Sequence, residues 1–248
     1  MLRVLKERLT IQGYRTMQYP DGPVTLPERF RGFPILNVVG GQAVDTGLCP
    51  FQALSNDADG PVLDMGRCLF CADCSAASVV SFSTDHRLAT SQRDELLVRP
   101  GSQRYFAQPL APDLRKLFGR SLKFREVSAG GCNACEADSN VLTTIGWDLG
   151  RFGIQFVASP RHADGIWVTG PVSENMREAL LKTWEAIPSP KVVIACGACA
   201  INGGPFKDSP QVCNGIESLL PVDLYIPGCP PHPVTILDGL LRLQGRIR

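Results

Sequence analysis

The chain has almost no net charge: 25 lysines and arginines stand against 24 aspartates and glutamates, a formal +1 over 248 residues. Without a basic excess there is no electrostatic case for nucleic acid or another polyanion as partner. Long apolar runs are also missing. None approaches the roughly 20 residues that a bilayer-spanning helix needs, so no direct membrane span is expected. The start, MLRVLKERLTIQGYRTMQYP, has basic residues but no continuous apolar stretch and no small-residue cleavage site. That argues against a secretory signal and for a protein made and kept in the cytoplasm. No internal repeat or low-complexity stretch is present.

What the chain does have is 10 cysteines, 24 glycines and 20 prolines. A reducing compartment argues against a disulfide framework, and metal binding is then the usual explanation for so many thiols. Many of the glycines and prolines flank the cysteines, in GLCP, SAGGC, GACAINGGP and PGCPPHP. Glycine lets backbone approach a bulky group, and proline fixes a loop at low entropic cost.

Along the chain, residues 1–33 read as an arm, with Leu2, Leu5 and Leu9 spaced for a short surface helix. Residues 34–86 form a cysteine-bearing unit whose apolar runs (Ile35–Val39, Val62–Met65, Val79–Phe82) suit small hairpins. Residues 87–120 carry no cysteine and read as a linker, helical near Asp113–Phe118. From residue 121 to 248 strand and helix signals alternate. Strands are expected at Phe124–Val127, Ile154–Ala158, Ile166–Thr169, Lys191–Ala195 and Leu224–Ile226, and helices at Asn140–Phe152, Ser173–Ile187 and Val234–Leu243. Such alternation implies a mainly parallel sheet covered by helices.

CLFCADC places Cys68, Cys71 and Cys74 in a C-x2-C-x2-C run, three thiolates on one short loop. The run resembles that of bacterial two-cluster ferredoxins, where a following Cys-Pro ligates the other cluster. Here Ser78-Val79 stands in that place, so the resemblance implies that the fourth ligand is an upstream Cys-Pro, and Cys49-Pro50 fits. Counting back from Cys49 by the same spacing gives Asp45, Gln42 and Val39, none an iron ligand. The implied unit is a small α+β ferredoxin-like domain reduced to one [4Fe–4S] cluster, held by Cys49, Cys68, Cys71 and Cys74. The lead-in YPDGPVTLPERFRGFP also resembles the segment before the ferredoxin-subunit motif of formate hydrogenlyase complexes. A zinc knuckle on the same cysteines is the competing reading; His86, twelve residues past Cys74, does not lie at zinc-ligand spacing.

Four more cysteines occupy glycine-rich loops that each follow an expected strand: Cys132 and Cys135 in GGCNACE, Cys199 in CGACAINGG, and Cys229 in PGCPPHP. In an open parallel sheet, ligands bind outside the carboxyl ends of the strands, so these loops can share one site. The order C-x-x-C-E, G-x-C-A-x-x-G-G, P-G-C-P-P-x-P resembles the small subunit of energy-converting [NiFe] hydrogenases, including formate hydrogenlyase, a family homologous to the small cluster-bearing subunit of complex I. The likeness spans roughly Leu117 to Leu243. Cys132 and Cys135 are separated by Asn133-Ala134 as in the hydrogenases, whereas complex I subunits carry adjacent cysteines there.

The resemblance implies a flavodoxin-like domain with a second [4Fe–4S] cluster on Cys132, Cys135, Cys199 and Cys229. It also implies electron transfer without bond-making on this chain, and a large catalytic hydrogenase-like partner subunit. Further ferredoxin and membrane subunits are expected, with the chain peripheral at the cytoplasmic face. A complex I-like or nickel-free relative coupled to quinone stays open, as does a zinc-stabilised binding module. Of the rest, Cys196 reads as a small buried residue, Cys213 as a loop residue and Glu136, with Asp138, as a carboxylate at a helix start. His232 could bond a sulfide or simply face solvent. Trp147, Trp167 and Trp184 read as core or interface residues.

Overall fold

The computed structural model describes residues 2–13, 15–38 and 42–247. In chain order the elements are α1 (Leu2–Glu7), β1 (Pro34–Leu36), β2 (Leu54–Asp57), β3 (Gly60–Asp64), β4 (Val80–Phe82), β5 (Leu97–Val98), α2 (Pro112–Phe118), β6 (Leu122–Ser128), α3 (Ala134–Val141), β7 (Ile154–Phe156), β8 (Gly165–Thr169), α4 (Glu174–Ala186), β9 (Val192–Cys196), α5 (Ala198–Asn202), β10 (Leu224–Ile226) and α6 (Pro233–Leu243). Among the described residues no helix is long and apolar enough to cross a membrane.

The carboxy-terminal half is a five-stranded sheet in the order β10-β9-β8-β6-β7, every pair parallel. Counted from β6, that is the 2-1-3-4-5 order of flavodoxin-like folds. Strands β8, β9 and β10 are buried on both faces because both faces are covered there. Period-two alternation sends Ile166, Val168, Val193 and Ala195 into one core and Trp167, Val192, Ile194 and Cys196 into the other. Helix α6, buried along its whole length, fills the second face.

The amino-terminal half contributes two small antiparallel sheets, β1-β4 and β2-β3-β5. Leu54, Leu63, Met65 and Leu96 join the same apolar cluster as Ile166 and Val168, so this half packs on the first face of the parallel sheet. The segment after β4 does more than connect. It supplies β5 to the three-stranded sheet, and Thr90 exchanges backbone hydrogen bonds with Tyr225 of β10 at 3.1 and 2.9 Å.

The expected strands lie within a residue or two of the observed ones, except that the Ile35–Val39 run ends as a strand at Leu36 and Val39 lies outside the described residues. One helix differs. Instead of Asn140–Phe152, α3 runs from Ala134 to Val141 and a single short turn covers Leu149–Phe152. Thr143 and Thr144 turn their hydroxyls onto the Asn140 and Val141 carbonyls, both at 2.7 Å, competing with helix propagation. Asp148 then takes a left-handed φ of 48°. Of the three apolar residues at spacing four, only Leu149 is buried; Val141 and Ile145 are exposed. Leu2, Leu5 and Leu9 do lie on a helical segment, α1 and the wider turn after it, with all three exposed.

Candidate metal centres

The amino-terminal cysteines converge through tight turns. Asp45 caps the turn before Cys49 by accepting from Gly47 N at 2.9 Å. Cys68 follows β3 in a turn closed by its own N–H on Asp64 O at 3.0 Å. The Asp64 carboxylate accepts from Gly66 N at 2.8 Å and pairs with Arg93 at 2.5 Å. Phe70 and Ala72 both adopt positive φ (54° and 68°), curling the loop back toward Cys74. Two backbone donors face sulfur: Ala53 N–H to Cys49 Sγ and Phe70 N–H to Cys68 Sγ, each at 3.3 Å.

Burial pushes the Cys68 thiol up to about 12; Cys49, Cys74 and Cys71 act in the same direction and the Phe70 N–H against it. Cys74 is raised by burial first and then by Cys49 and Cys71. Cys71 is the exposed member.

The carboxy-terminal cysteines sit where the sheet order makes a site. Cys132 and Cys135 follow β6, Cys199 opens α5 after β9, and Cys229 follows β10. All four line one narrow pocket together with Gly131, Gly170 and Gly228. The loops after β6 and β8 meet glycine on glycine: a Cβ on Gly170, at φ +80°, would fall 2.6 Å from Gly131 N.

Two further glycines bring bare backbone against sulfur. A Cβ on Gly197 would lie 2.5 Å from Cys135 Sγ, and one on Gly204 2.7 Å from Cys199 Sγ. Burial drives the Cys135 thiol far above its ordinary value, with Cys199, Glu136, Cys229 and Cys132 adding to it. Cys199 is pushed up to about 12, by burial and then by Cys229, Cys132 and Glu136.

In each tetrad the buried sulfurs resist ionisation, through burial first and neighbouring sulfurs second. Four thiolates coexist at such a place only with positive charge between them. A sulfur-only donor set selects soft centres, iron–sulfur clusters, zinc or copper(I). Among the described residues no group of three or more His, Cys, Asp or Glu side chains is placed to hold a metal ion. The glycine cradle and the backbone N–H groups facing sulfur fit the wider body of a cluster, whose potential such bonds tune.

The remaining residues fall into place individually. Cys196 is fully buried in the second core. Cys213 Sγ donates to Glu174 Oε1 at 3.3 Å. Glu136, in the first turn of α3, is 6% exposed and accepts hydrogen bonds from Thr169 Oγ1 at 2.7 Å and from Ser128 Oγ. Its non-local partners gave no signal in the sequence. His232 is half-buried: its Nδ1 accepts from Val234 N at 3.2 Å and caps α6, while Phe30 and Trp147 stand edge-on to its ring. Trp167 is fully buried between Phe124 and Phe156.

Glu126, on β6, was not singled out by any pattern. Burial, with Glu136 second, raises its carboxyl to about 7, and its Oε1 is buried without a protein partner. A folded-state value above the unfolded one means that the native chain binds the extra proton, so stability falls as pH rises from about 4.5 to about 7. Glu126→Gln is therefore expected to raise the urea midpoint at pH 8 and to change it little near pH 4.5. An equal change at both values would refute this account.

Residues 132–243 match the family described as NADH ubiquinone oxidoreductase, 20 kDa subunit. The probable membrane-bound hydrogenase subunit mbhJ of Pyrococcus furiosus is 40% identical over 140 residues, 56% of this chain and 84% of that protein. The chain belongs to this family of oxidoreductase small subunits. Formate hydrogenlyase subunit 7 of Escherichia coli is 43% identical over 132 residues, 53% of this chain and 52% of that protein. An NADH-quinone oxidoreductase subunit of Bacteroides thetaiotaomicron is 42% identical over 117 residues, 47% of this chain and 59% of that protein. The family match includes Cys132, Cys135, Cys199 and Cys229 and begins after the amino-terminal tetrad.

Proposed function

We propose that this oxidoreductase small subunit relays single electrons through two [4Fe–4S] clusters to or from a large catalytic hydrogenase-like subunit. Cys49, Cys68, Cys71 and Cys74 would hold one cluster, and Cys132, Cys135, Cys199 and Cys229 the other. The observation that carries this reading is the convergence of four sulfurs and a glycine lining on one pocket at the carboxyl ends of three parallel strands. When bound, such clusters supply reversible one-electron exchange; the chain binds, insulates and tunes them. The Phe70 and Ala53 N–H groups stabilise negative charge on sulfur in the first site, where Cys68 and Cys74 are buried.

A relay needs its two sites close together, and one cleft is lined by Leu69 and Phe70 from the first loop and by Cys229 and Pro230 from the second. In this reading residues 34–86 form a single-cluster ferredoxin-like domain, joined by residues 87–120 to the hydrogenase small-subunit-like domain at 121–248, with residues 1–33 as an arm. Attachment to the cytoplasmic face of a membrane would come through partner subunits, and the likeness to a membrane-bound hydrogenase subunit favours that arrangement.

The test is anaerobic purification from the native host with metal analysis. The expected result is about eight irons per chain, two distinguishable reduced-cluster EPR signals and a co-purifying large subunit. Folded protein that contains zinc, or no metal, would overturn the proposal.

A further inference from the structure

The cleft between the two cysteine loops is crossed by the arm. Upstream, the arm is fastened to the parallel-sheet half: Thr16 Oγ1 donates to Ile145 O at 3.1 Å, Met17 N to Gly146 O at 2.8 Å, and Tyr19 Oη to the buried Asp238 at 2.7 Å. Downstream, it is fastened to the amino-terminal half. Gly32 N donates to Ser83 O at 2.8 Å and Phe33 N to Asp85 O at 2.9 Å. The fit there is close: a Cβ on Gly32 would lie 2.2 Å from Asp85 O.

Between these anchors the arm touches both loops. Arg31 Nη1 donates to Phe70 O at 3.0 Å, within the Cys68–Cys71 turn. Phe30 packs edge-on against His232 at 5.3 Å, three residues past Cys229. Arg29, Phe30 and Arg31 line the cleft that both loops share. Away from the cleft the halves meet directly, with Gly66 against Ile201; a Cβ on Gly66 would fall 2.8 Å from Ile201 Cγ2. The arm adds a further tie across the cleft.

We propose that Phe30 and Arg31 are positioning residues that clamp the two cysteine loops together and so set the separation of the two redox centres. The proposal rests on the two-cluster reading above. Phe70 is held at a positive φ that a bulky residue adopts only when its surroundings fix it. Arg31 supplies such a restraint on its carbonyl, while the Phe70 N–H faces Cys68 Sγ. Phe30 bears on the residue that caps α6 and ends the Cys229 loop.

The experiment measures the spin–spin interaction between the two fully reduced clusters by EPR on the full-length chain. Three proteins are compared: wild type, Phe30→Ala/Arg31→Ala and Gly32→Ala. The last retains both clamp side chains and the arginine charge but cannot seat against Asp85. The expected result is a resolved interaction in wild type and loss of part of the splitting in both variants, all three at about eight irons per chain. Unchanged splitting in the double variant at full iron content would overturn the clamp. So would a change confined to the double variant, since that would trace to the lost arginine charge. A fully loaded wild type without any splitting would overturn it as well. An iron-free wild type would instead overturn the relay itself.

Discussion

Replacing Cys135 with serine is expected to halve the bound iron, from about eight to about four atoms per chain, and to remove one EPR signal while leaving the other. Cys135 stands at the start of α3 with bare backbone from Gly197 pressed against its sulfur. A serine hydroxyl at the same place is a poor anion: burial that already holds back the thiol disfavours an alkoxide far more. The amino-terminal tetrad takes no donor from this loop, so its signal should persist. Iron assay and EPR on anaerobic protein check both halves of the statement. Iron that stays near eight, or a loss of both signals together, would refute the assignment of two separate tetrads.

Asp238→Ala is expected to destabilise the protein by about 3–5 kcal/mol, the cost of leaving a buried charge without its partner. Asp238 is 1% exposed and its partner Arg242 5%; they meet at 2.7 Å along α6. The other carboxylate oxygen accepts the Tyr19 hydroxyl at 2.7 Å, and His86 stands 3.3 Å from that hydroxyl. Removal of the carboxylate strands the guanidinium and unfastens the arm in one step. Urea denaturation should show the lower midpoint, and limited proteolysis of the native protein should show faster cleavage in residues 15–31. Asp238→Asn keeps an acceptor for Tyr19, so its arm should remain more protected than that of the alanine variant. A midpoint within error of wild type for Asp238→Ala would show that the pair contributes nothing net.

Much of this architecture is written locally, and those parts were readable. The strands β8, β9 and β10 are short apolar runs bounded by glycine, proline or aspartate, and their positions follow from the run itself. Helix α4 announces itself through Leu180, Ile187 and the proline pair beyond it. The carboxy-terminal cysteine loops were legible from the glycines and prolines that flank their sulfurs, and the amino-terminal run from its C-x2-C-x2-C spacing. Where reading failed, the deciding interactions were either competitors within a segment or partners far away. Thr143 and Thr144 stop α3 by bonding carbonyls that a continuing helix would use. The hydroxyls of Ser128 and Thr169 that satisfy Glu136 come from two other strands. Likewise β5 is two residues long and exists because β3 lies beside it; nothing in Leu97-Val98 alone specifies a strand.

The anchoring of Tyr19 on Asp238 also has a bearing on biosynthesis. The two residues are 219 positions apart, so a chain emerging from the ribosome amino terminus first cannot form the tether until α6 has been made. Non-local closures of this kind come late in folding. Until α6 has been made, the arm is therefore held without its Tyr19 anchor.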